Sequence, residues 1–301
     1  MPKFSQSFSE KSRKGSDAES QADFDSHIGQ ARTIAQINRL PEEEKTTLYS
    51  GLIPSSILTK FRIDPKTFRN QDGEMALHCS CRPKTSTVRI ELRHTANFPD
   101  PIFFLEMTDT PFADFEILFL NMNNPYSERF HIDRDAEGND TVFATVSRNI
   151  PEEIRAMQAG LAPGQIRNGL RLFRSFLIQA NQFCQKLGIA QVKVQPLAYH
   201  NAIMHEFYGF HYMSERRTME TIDREFAPGG LLFERLNGST PFRQPGFERT
   251  IRGRSWAIHD GILEEPWQSP RMYYQFDESV NKTYDEFTCQ TLSYRHRLST
   301  A

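Results

Sequence analysis

Residues 163–210 read PGQIRNGLRLFRSFLIQANQFCQKLGIAQVKVQPLAYHNAIMHEFYGF, and this stretch decides the fold. Its apolar side chains recur at alternating spacings of four and three, at Ile166, Leu170, Phe173, Leu177, Ala180, Cys184 and Leu187. That spacing places them on one face, so it predicts a core helix of about six turns. Gly188 ends the helix, and residues 191–195 alternate as a half-buried strand that Pro196 closes. The stretch therefore predicts a strand, crossover helix, strand unit.

Composition sets the outer limits of the interpretation. The chain has 301 residues, of which 38% are hydrophobic, and this is enough to fill a globular core. The net charge is −2, so no global basic field favours nucleic acid or an anionic membrane as a partner. The four cysteines have no repeated spacing, which indicates free thiols. There is no leader-like apolar segment and no run of about 18 apolar residues, so we expect a soluble, cytoplasmic protein without a membrane span.

Four regions follow from the order of these patterns. Residues 1–25 are polar and predict a disordered tail. Residues 26–70 carry helical periodicity and predict a helical arm. Residues 71–225 predict the α/β core. Residues 226–301 are punctuated by Gly and Pro and predict an irregular extension packed on that core, with residues 252–265 as loop and strand.

The apolar pattern in the first half of the core predicts an antiparallel meander. Alternating or continuous apolar runs mark its strands, at residues 75–81, 88–92, 102–107, 111–121, 130–133 and 142–146. The segment 111–121 is ambiguous, because Thr110-Pro111 could cap a helix, but Phe115, Ile117 and Phe119 alternate and favour a strand. The predicted fold class is α/β (α+β), with a mixed, largely antiparallel sheet and flanking helices.

Two polar clusters contain residue types that bind metal ions. Residues 133–140 resemble the start of a calcium loop, but the twelfth position, which needs a bidentate Glu, is Ala144. Cys79 and Cys81 share one strand face and have no second Cys/His pair nearby in sequence. We therefore expect no metal. The chain also lacks a Walker loop, a Gly-x-Ser-x-Gly elbow and a His-Glu-x-x-His motif, which argues against NTPases and common hydrolases.

Arginines line the start of the predicted core helix. Arg167, Arg171 and Arg174 repeat along one stripe near its N-terminus, where free amides and the helix dipole already favour an anion. This end of the helix therefore predicts a binding site for a phosphate-bearing ligand.

Residues 199–210 carry a family resemblance. They contain Asn201-Ala202, then Phe207-Tyr208, then Gly209-Phe210. This order resembles the last helix-strand motif of the GNAT superfamily of acyltransferases, and the opening 165–171 resembles its pyrophosphate-binding motif. The resemblance covers roughly residues 140–215. It implies a GNAT-like fold, splayed strands that admit the arm of an acyl-CoA or acyl-pantetheine donor, and Tyr208 as the acid that protonates the leaving thiolate.

The resemblance also implies the phosphate grip, formed by Gln165, Arg167, Asn168, Gly169 and Arg171. Two departures from the family pattern bear on it. Arg171 stands where the family has a last small residue. The family's Tyr precedes Gly-Phe by four residues, a position held here by His205, so either Tyr208 or His205 is the expected acid. The family's two early helices have no clear equivalent unless the arm or residues 111–121 replace them.

The expected function is transfer of an acyl group from a thioester donor, either acyl-CoA or an acyl carrier protein, to an amine. The alternative is a catalytically inactive GNAT-like module that binds ligands or proteins. In the enzyme interpretation, His259 is the general base for the amine, oriented by Asp260 or Glu206, because imidazole titrates near neutral pH. In the structural interpretation, Trp256 is a buried anchor and His259 hydrogen-bonds to the backbone.

Overall fold

An open sheet of seven strands organises the protein in a computed structural model that describes residues 31–112, 114–142, 144 and 146–276. The strands are β1 Leu77–Ser80, β2 Thr87–Leu92, β3 Phe103–Asp109, β4 Phe115–Asn121, β5 Gln191–Val194, β6 His211–Tyr212 and β7 Met272–Gln275. Their order is β1-β2-β3-β4-β5-β7-β6. Every neighbouring pair is antiparallel except β4 and β5. The mixed, largely antiparallel α/β architecture predicted from the sequence is confirmed.

Helices flank this sheet. They are α1 Ile34–Ile37, α2 Glu42–Ser50, α3 Ser55–Lys60, α4 Ile150–Gln158, α5 Phe173–Leu187, α6 Tyr199–Phe207, α7 Arg216–Glu225, α8 Leu231–Glu234 and α9 Ile251–His259, with a 3-10 turn at Phe247–Arg249. None of those within the described ranges is long and apolar enough to cross a bilayer.

The main core lies between the strands and helix α5. Strand β2 alternates exposed and buried residues, which places Val88, Ile90 and Leu92 in the core. Helix α5 presents Phe183 to this core, where its ring lies 5.8 Å from that of Phe115 on β4. Tyr49 of α2 contacts the same Phe183 ring at 6.3 Å, so the N-terminal arm packs on the same core as α5. Burying each such side chain contributes about 1.5–3 kcal/mol.

Helix α5 begins at Phe173, later than its apolar spacing predicts. The preceding segment is extended instead: Leu170 N donates to Met122 O at 2.8 Å, and Arg171 adopts a left-handed backbone with φ of 60°. A left-handed L-residue cannot continue a right-handed helix. Ile166, predicted on the helix face, packs against a second, smaller core formed by Phe130, Ile132, Ala156, Leu161, Phe242 and Trp256.

Two expected strands are absent from the described part of the chain. Residues 130–133 and 142–146 contain no named strand, and only an isolated bridge joins Arg134 to Asp140. The Asp135 carboxylate accepts hydrogen bonds from the amides of Glu137 and Asn139, so side-chain bonds replace a ladder in this turn. The parallel partner of β5 is consequently β4 and not a strand at 142–146.

The C-terminal region is more regular than expected. Residues 251–259 form helix α9 and not a strand, because Thr250 Oγ1 caps its N-terminus by accepting from Gly253 N at 2.9 Å. Strand β7 lies inside the sheet between β5 and β6. Cys79, Cys81 and Cys184 are free thiols. Cys289 and the predicted disordered tail lie outside the described residues.

Candidate functional site

Strands β4 and β5 separate after a short parallel contact. They pair over three positions, ending at Ile117 opposite Val194. On the other side of β4, the register with β3 shifts so that Leu118 is an extra residue between two paired positions. Such a bulge bends its strand and increases its twist. Strand β5 ends at Val194, and no described strand pairs with Leu118–Asn121 on the β5 side. We call this region, beyond the last β4–β5 pair, the β4–β5 cleft; Leu118 at its start is 44% exposed.

A loop crosses the far end of this cleft. Asn123 and Gly169 form an antiparallel bridge. Asn124 N donates to Asn168 O at 2.8 Å, alongside the bond from Leu170 N to Met122 O. The segment 168–170 is thereby fixed at the end of β4, directly before helix α5.

The N-terminus of helix α5 faces this loop without a cap. No side chain accepts from its first amides, and the amides of Leu172 and Phe173 donate to no acceptor in the described residues. Free amides and the positive end of the helix dipole together favour an anion. The amides of residues 172–173 are therefore the backbone donors that the predicted anion site would use.

Arg171 is the exposed cation of the loop. Its guanidinium has no hydrogen-bond or ion-pair partner in the part of the chain that the structure describes. Its left-handed backbone costs roughly 1–2 kcal/mol for an L-residue. Strain of this kind is concentrated at functional sites. A glycine would adopt this conformation without strain.

Arg167 occupies a different environment from Arg171. It is buried, and its Nε donates to the Asp100 carboxylate at 2.8 Å while its Nη1 donates to the Ser127 carbonyl. Arg129 binds the same Asp100 carboxylate at 3.0 Å. Burial by itself raises the pKa of Asp100, but the bonds from the two arginines outweigh it and leave the pKa lowered. The Arg167 guanidinium is therefore committed to anchoring the loop.

The other predicted grip residues lie on the same loop. Gln165 Oε1 accepts from Ala162 N at 2.8 Å, which holds the turn before the loop. Asn168 is exposed, and its backbone N donates to Ser127 Oγ at 3.2 Å. A Cβ added at Gly169 would make only ordinary contact, 3.6 Å from Met122 O, so the bridge to β4 does not itself require glycine. Of the five predicted residues, Asn168, Gly169 and Arg171 are exposed.

Tyr208 and His205 lie next to the start of helix α5. Phe173, the first residue of α5, has its ring 4.9 Å from that of Tyr208 and 5.3 Å from that of His205. The Tyr208 hydroxyl has no polar partner within the described ranges, and its side chain is half-buried. The structure thus brings Tyr208, His205 and the predicted anion site together, although residues 168–173 and 205–208 are distant in sequence.

His205 is in a state that opposes a role as acid. Its Nδ1 lies 2.6 Å from Asn201 O, and since a carbonyl only accepts, Nδ1 carries the proton. Burial lowers the pKa of His205 to about 4. The ring is therefore neutral at pH 7, and its Nε2 is an acceptor.

His259 is the last residue of helix α9. Its Nε2 is 3.3 Å from Oε1 of Glu153 on helix α4. The expected partners of His259 were Asp260 or Glu206, but its carboxylate partner is Glu153. Asp260 instead binds Arg148 and Arg243. Burial by itself raises the pKa of Glu153, but hydrogen bonds from His259 and Arg148 leave it lowered.

Helix α6 contacts helix α9 at its first turn, and Tyr208 follows its last turn. His200, in the first turn of α6, hydrogen-bonds through Nδ1 to Ser255 Oγ of α9 at 3.0 Å, whereas Tyr208 follows the other end. At 1.5 Å per residue these ends are roughly 12 Å apart. Trp256 is the buried anchor that the structural interpretation predicts, with Nε1 donating to Leu161 O at 2.8 Å.

Three features of this site were not predicted from the sequence. Neither the bulge at Leu118 nor the carboxylates Asp100 and Glu153 had a local sequence signal, because each acts through a partner far along the chain. A buried charge needs a partner, so Asp100 and Glu153 could have been found only by asking which cations face them.

Comparison with known proteins found no matching family model, no matching curated protein and no matching solved structure. The GNAT resemblance accordingly remains a prediction.

Proposed function

We propose that the protein transfers an acyl group from a pantetheine thioester, carried by coenzyme A or by a carrier protein, to an amine. The observation that carries the proposal is the separation of β4 and β5 after the Leu118 bulge, with the uncapped N-terminus of α5 at one end. A cleft that exposes one edge of a strand suits an extended ligand with amide groups.

Donor binding would use two parts of the cleft. The pantetheine arm, which contains two amides, would lie as an added strand beside Leu118 and Leu120, whose main-chain groups face away from β3. Its phosphate end would meet the amides of Leu172 and Phe173 and the Arg171 guanidinium. Charge-assisted bonds of this kind contribute about 1.5–3 kcal/mol when shielded from water.

The chemistry would be an acyl substitution. The amine nitrogen attacks the thioester carbonyl carbon, and amides of β4 beyond the bulge polarise the carbonyl oxygen. Collapse of the tetrahedral intermediate breaks the C–S bond, and Tyr208 donates its phenolic proton to the thiolate. The amine proton passes to a base, so the products are an amide and a free thiol.

His259 is the proposed base. Because Glu153 accepts from Nε2–H, the Nδ1 lone pair of His259 is free to receive a proton from the amine, either directly or through water. An acceptor that reaches both His259 and the thioester would have to span the N-terminal end of helix α6.

The second candidate function is ligand binding without turnover. The observation that favours it is the half-buried His205, whose lowered pKa keeps it neutral, at the position that the resemblance gives to the acid. A module of this kind would bind the donor at the same cleft and release no thiol.

The test is calorimetric titration with coenzyme A and with 4′-phosphopantetheine, followed by thiol release from acyl-CoA in the presence of a mixed amine panel. Leu118→Trp should block donor binding because it fills the cleft entrance, whereas Leu231→Trp, at an exposed leucine on helix α8, should not. Donor binding without thiol release would favour the second function. Equal binding by the Leu118 and Leu231 variants would remove the cleft from the proposal.

A further inference from the structure

The opposite end of the sheet has an open edge. Strand β1 pairs only with β2 among the described strands. Arg93 N donates to Ala76 O, whereas Ala76 N donates to Phe68 O, so residues 68–69 bond to the chain just before β1. Within β1, His78 and Ser80 face β2, because bonding residues alternate along an antiparallel ladder. The main-chain groups of Leu77 and Cys79 therefore point outward, and no described residue bonds to them on that side.

A groove of about 730 Å³ runs beside this edge. Helix α2 forms one wall through Glu42, Glu43 and Thr46, and the segment 66–68 and Met75 close its end. Its base is the outward edge of β1. The groove therefore offers unpaired main-chain donors and acceptors along about 13 Å of strand, at 3.3 Å per residue.

The groove walls combine apolar surface with charges of both signs, Glu42 and Glu43 on one wall and Lys66 at the end. Met75 is 55% exposed. Burial raises the pKa of the Cys79 thiol to about 12, so this wall residue is uncharged at neutral pH. Glu42 is paired with Lys45 at 2.7 Å, whereas the Glu43 side chain has no cation partner in the described residues.

We propose that this groove binds an extended peptide segment of a partner protein, which adds a strand to β1. The outward main-chain groups of Leu77 and Cys79 can bond to alternate residues of an added chain, which requires that chain to be in the β conformation. Met75 and Cys79 favour apolar side chains, Glu43 favours a Lys or Arg beside helix α2, and Lys66 favours an acidic group or the C-terminal carboxylate at the closed end.

A single strand fits this edge better than a second copy of the chain. In a dimer that pairs β1 with β1, the two-fold axis would be perpendicular to the sheet, so equivalent faces of the two sheets would lie on the same side. Each copy would then bring its own helix α2 to the shared edge, where the first α2 already forms the groove wall. The groove is also separate from the β4–β5 cleft, because β2 and β3 lie between them.

The probe is a labelled peptide, Lys-Val-Ser-Val-Thr-Val-Lys, titrated into the full chain and followed by fluorescence anisotropy. We expect a Kd of roughly 1–100 µM. Backbone amide exchange measured by NMR should show protection of Leu77 and Cys79 on binding. N-methylation of the odd-numbered peptide amides and of the even-numbered ones should have different effects, because only one of these two sets faces β1. Methylation of that set should abolish binding, and methylation of the other set should leave it intact.

Charge at the groove provides a matched control. Glu43→Lys should weaken binding about tenfold, whereas Glu137→Lys, at an exposed turn, should leave the affinity unchanged. The proposal is overturned if neither this peptide nor its reversed sequence binds below roughly 1 mM. It is also overturned if both N-methylated peptides bind equally, or if sedimentation shows a dimer whose amide protection maps to β1.

Discussion

Arg171 is the residue at which stability and donor binding should change in opposite directions. Its left-handed backbone costs about 1–2 kcal/mol, and Arg171→Gly removes that cost. Glycine in turn adds about 0.5–1 kcal/mol of chain entropy to the unfolded state. The variant should therefore be more stable by about 0.5–1 kcal/mol, although it loses a side chain.

Donor affinity should fall in the same variant. An exposed guanidinium that meets a phosphate contributes less than a buried one, so we take about 1.4 kcal/mol, which is a tenfold weaker Kd. Arg171→Ala is the matched control, because it removes the charge but keeps the Cβ and the strain. Both variants should bind coenzyme A equally weakly, and only the glycine variant should gain stability.

The assays are urea denaturation for the free energy of unfolding and calorimetry for coenzyme A. Unchanged donor affinity in both variants would remove Arg171 from the proposed grip. A glycine variant less stable than the alanine variant would show that the left-handed backbone is not the source of strain.

Further predictions concern the neighbouring groups. Tyr208→Phe should lower turnover roughly 10²-fold in a thiol-release assay with little change in melting temperature, and normal turnover would exclude the hydroxyl as acid. Arg167→Ala should lower the free energy of unfolding by about 3–5 kcal/mol, because it leaves Asp100 partly unpaired, and a loss under 1 kcal/mol in urea titrations would contradict the anchoring role. His259→Gln should slow turnover in the thiol-release assay, and early melting with normal turnover per folded molecule would mark His259 as structural. The pKa of His205 is about 4 in the folded state and near 6.5 in the unfolded state, so the unfolded state takes up the proton first as the pH falls. The free energy of unfolding should therefore decrease by about 1.4 kcal/mol for each pH unit from pH 6.5 down to pH 4. Urea midpoints of His205→Gln plotted against pH should show a shallower slope.

Strands β1 to β5 and most helices could be predicted because local periodicity matches the burial that tertiary packing imposes, whereas β7 was not predicted and two expected strands are absent from the described residues. Strand β2 alternates in sequence and in burial, and the segment 115–121 forms the strand that its alternation favours. The start of helix α5 could not be predicted, because the bond from Leu170 N to Met122 O overrides a continuous apolar stripe. Helix α9 was missed because Trp256 and Ile258 favour strands, whereas its Thr250 cap depends on one hydrogen bond.

The candidate site was predicted unevenly for the same reason. Residues 168–171 and 205–208 lie in continuous motifs, and the structure brings them together through Phe173. The partners of Arg167 and His259 could not be predicted, since Asp100 and Glu153 are remote in sequence and a buried ion pair leaves no local pattern. The cleft itself depends on one extra residue in β4, Leu118, and no property of a leucine marks a bulge.

The most direct test of the central claim is amide hydrogen exchange, resolved by residue with NMR, with and without a saturating thioether analogue of acyl-coenzyme A. Slowed exchange is expected at Leu118 and Leu120 and at residues 172–173, because the analogue would pair with the side of β4 that faces away from β3 while its phosphates accept from the start of α5. Exchange at Leu77 and Cys79, at the far edge of the sheet, should not change. Unchanged exchange at Leu118 and Leu120 in the saturated complex would contradict a donor bound between β4 and β5.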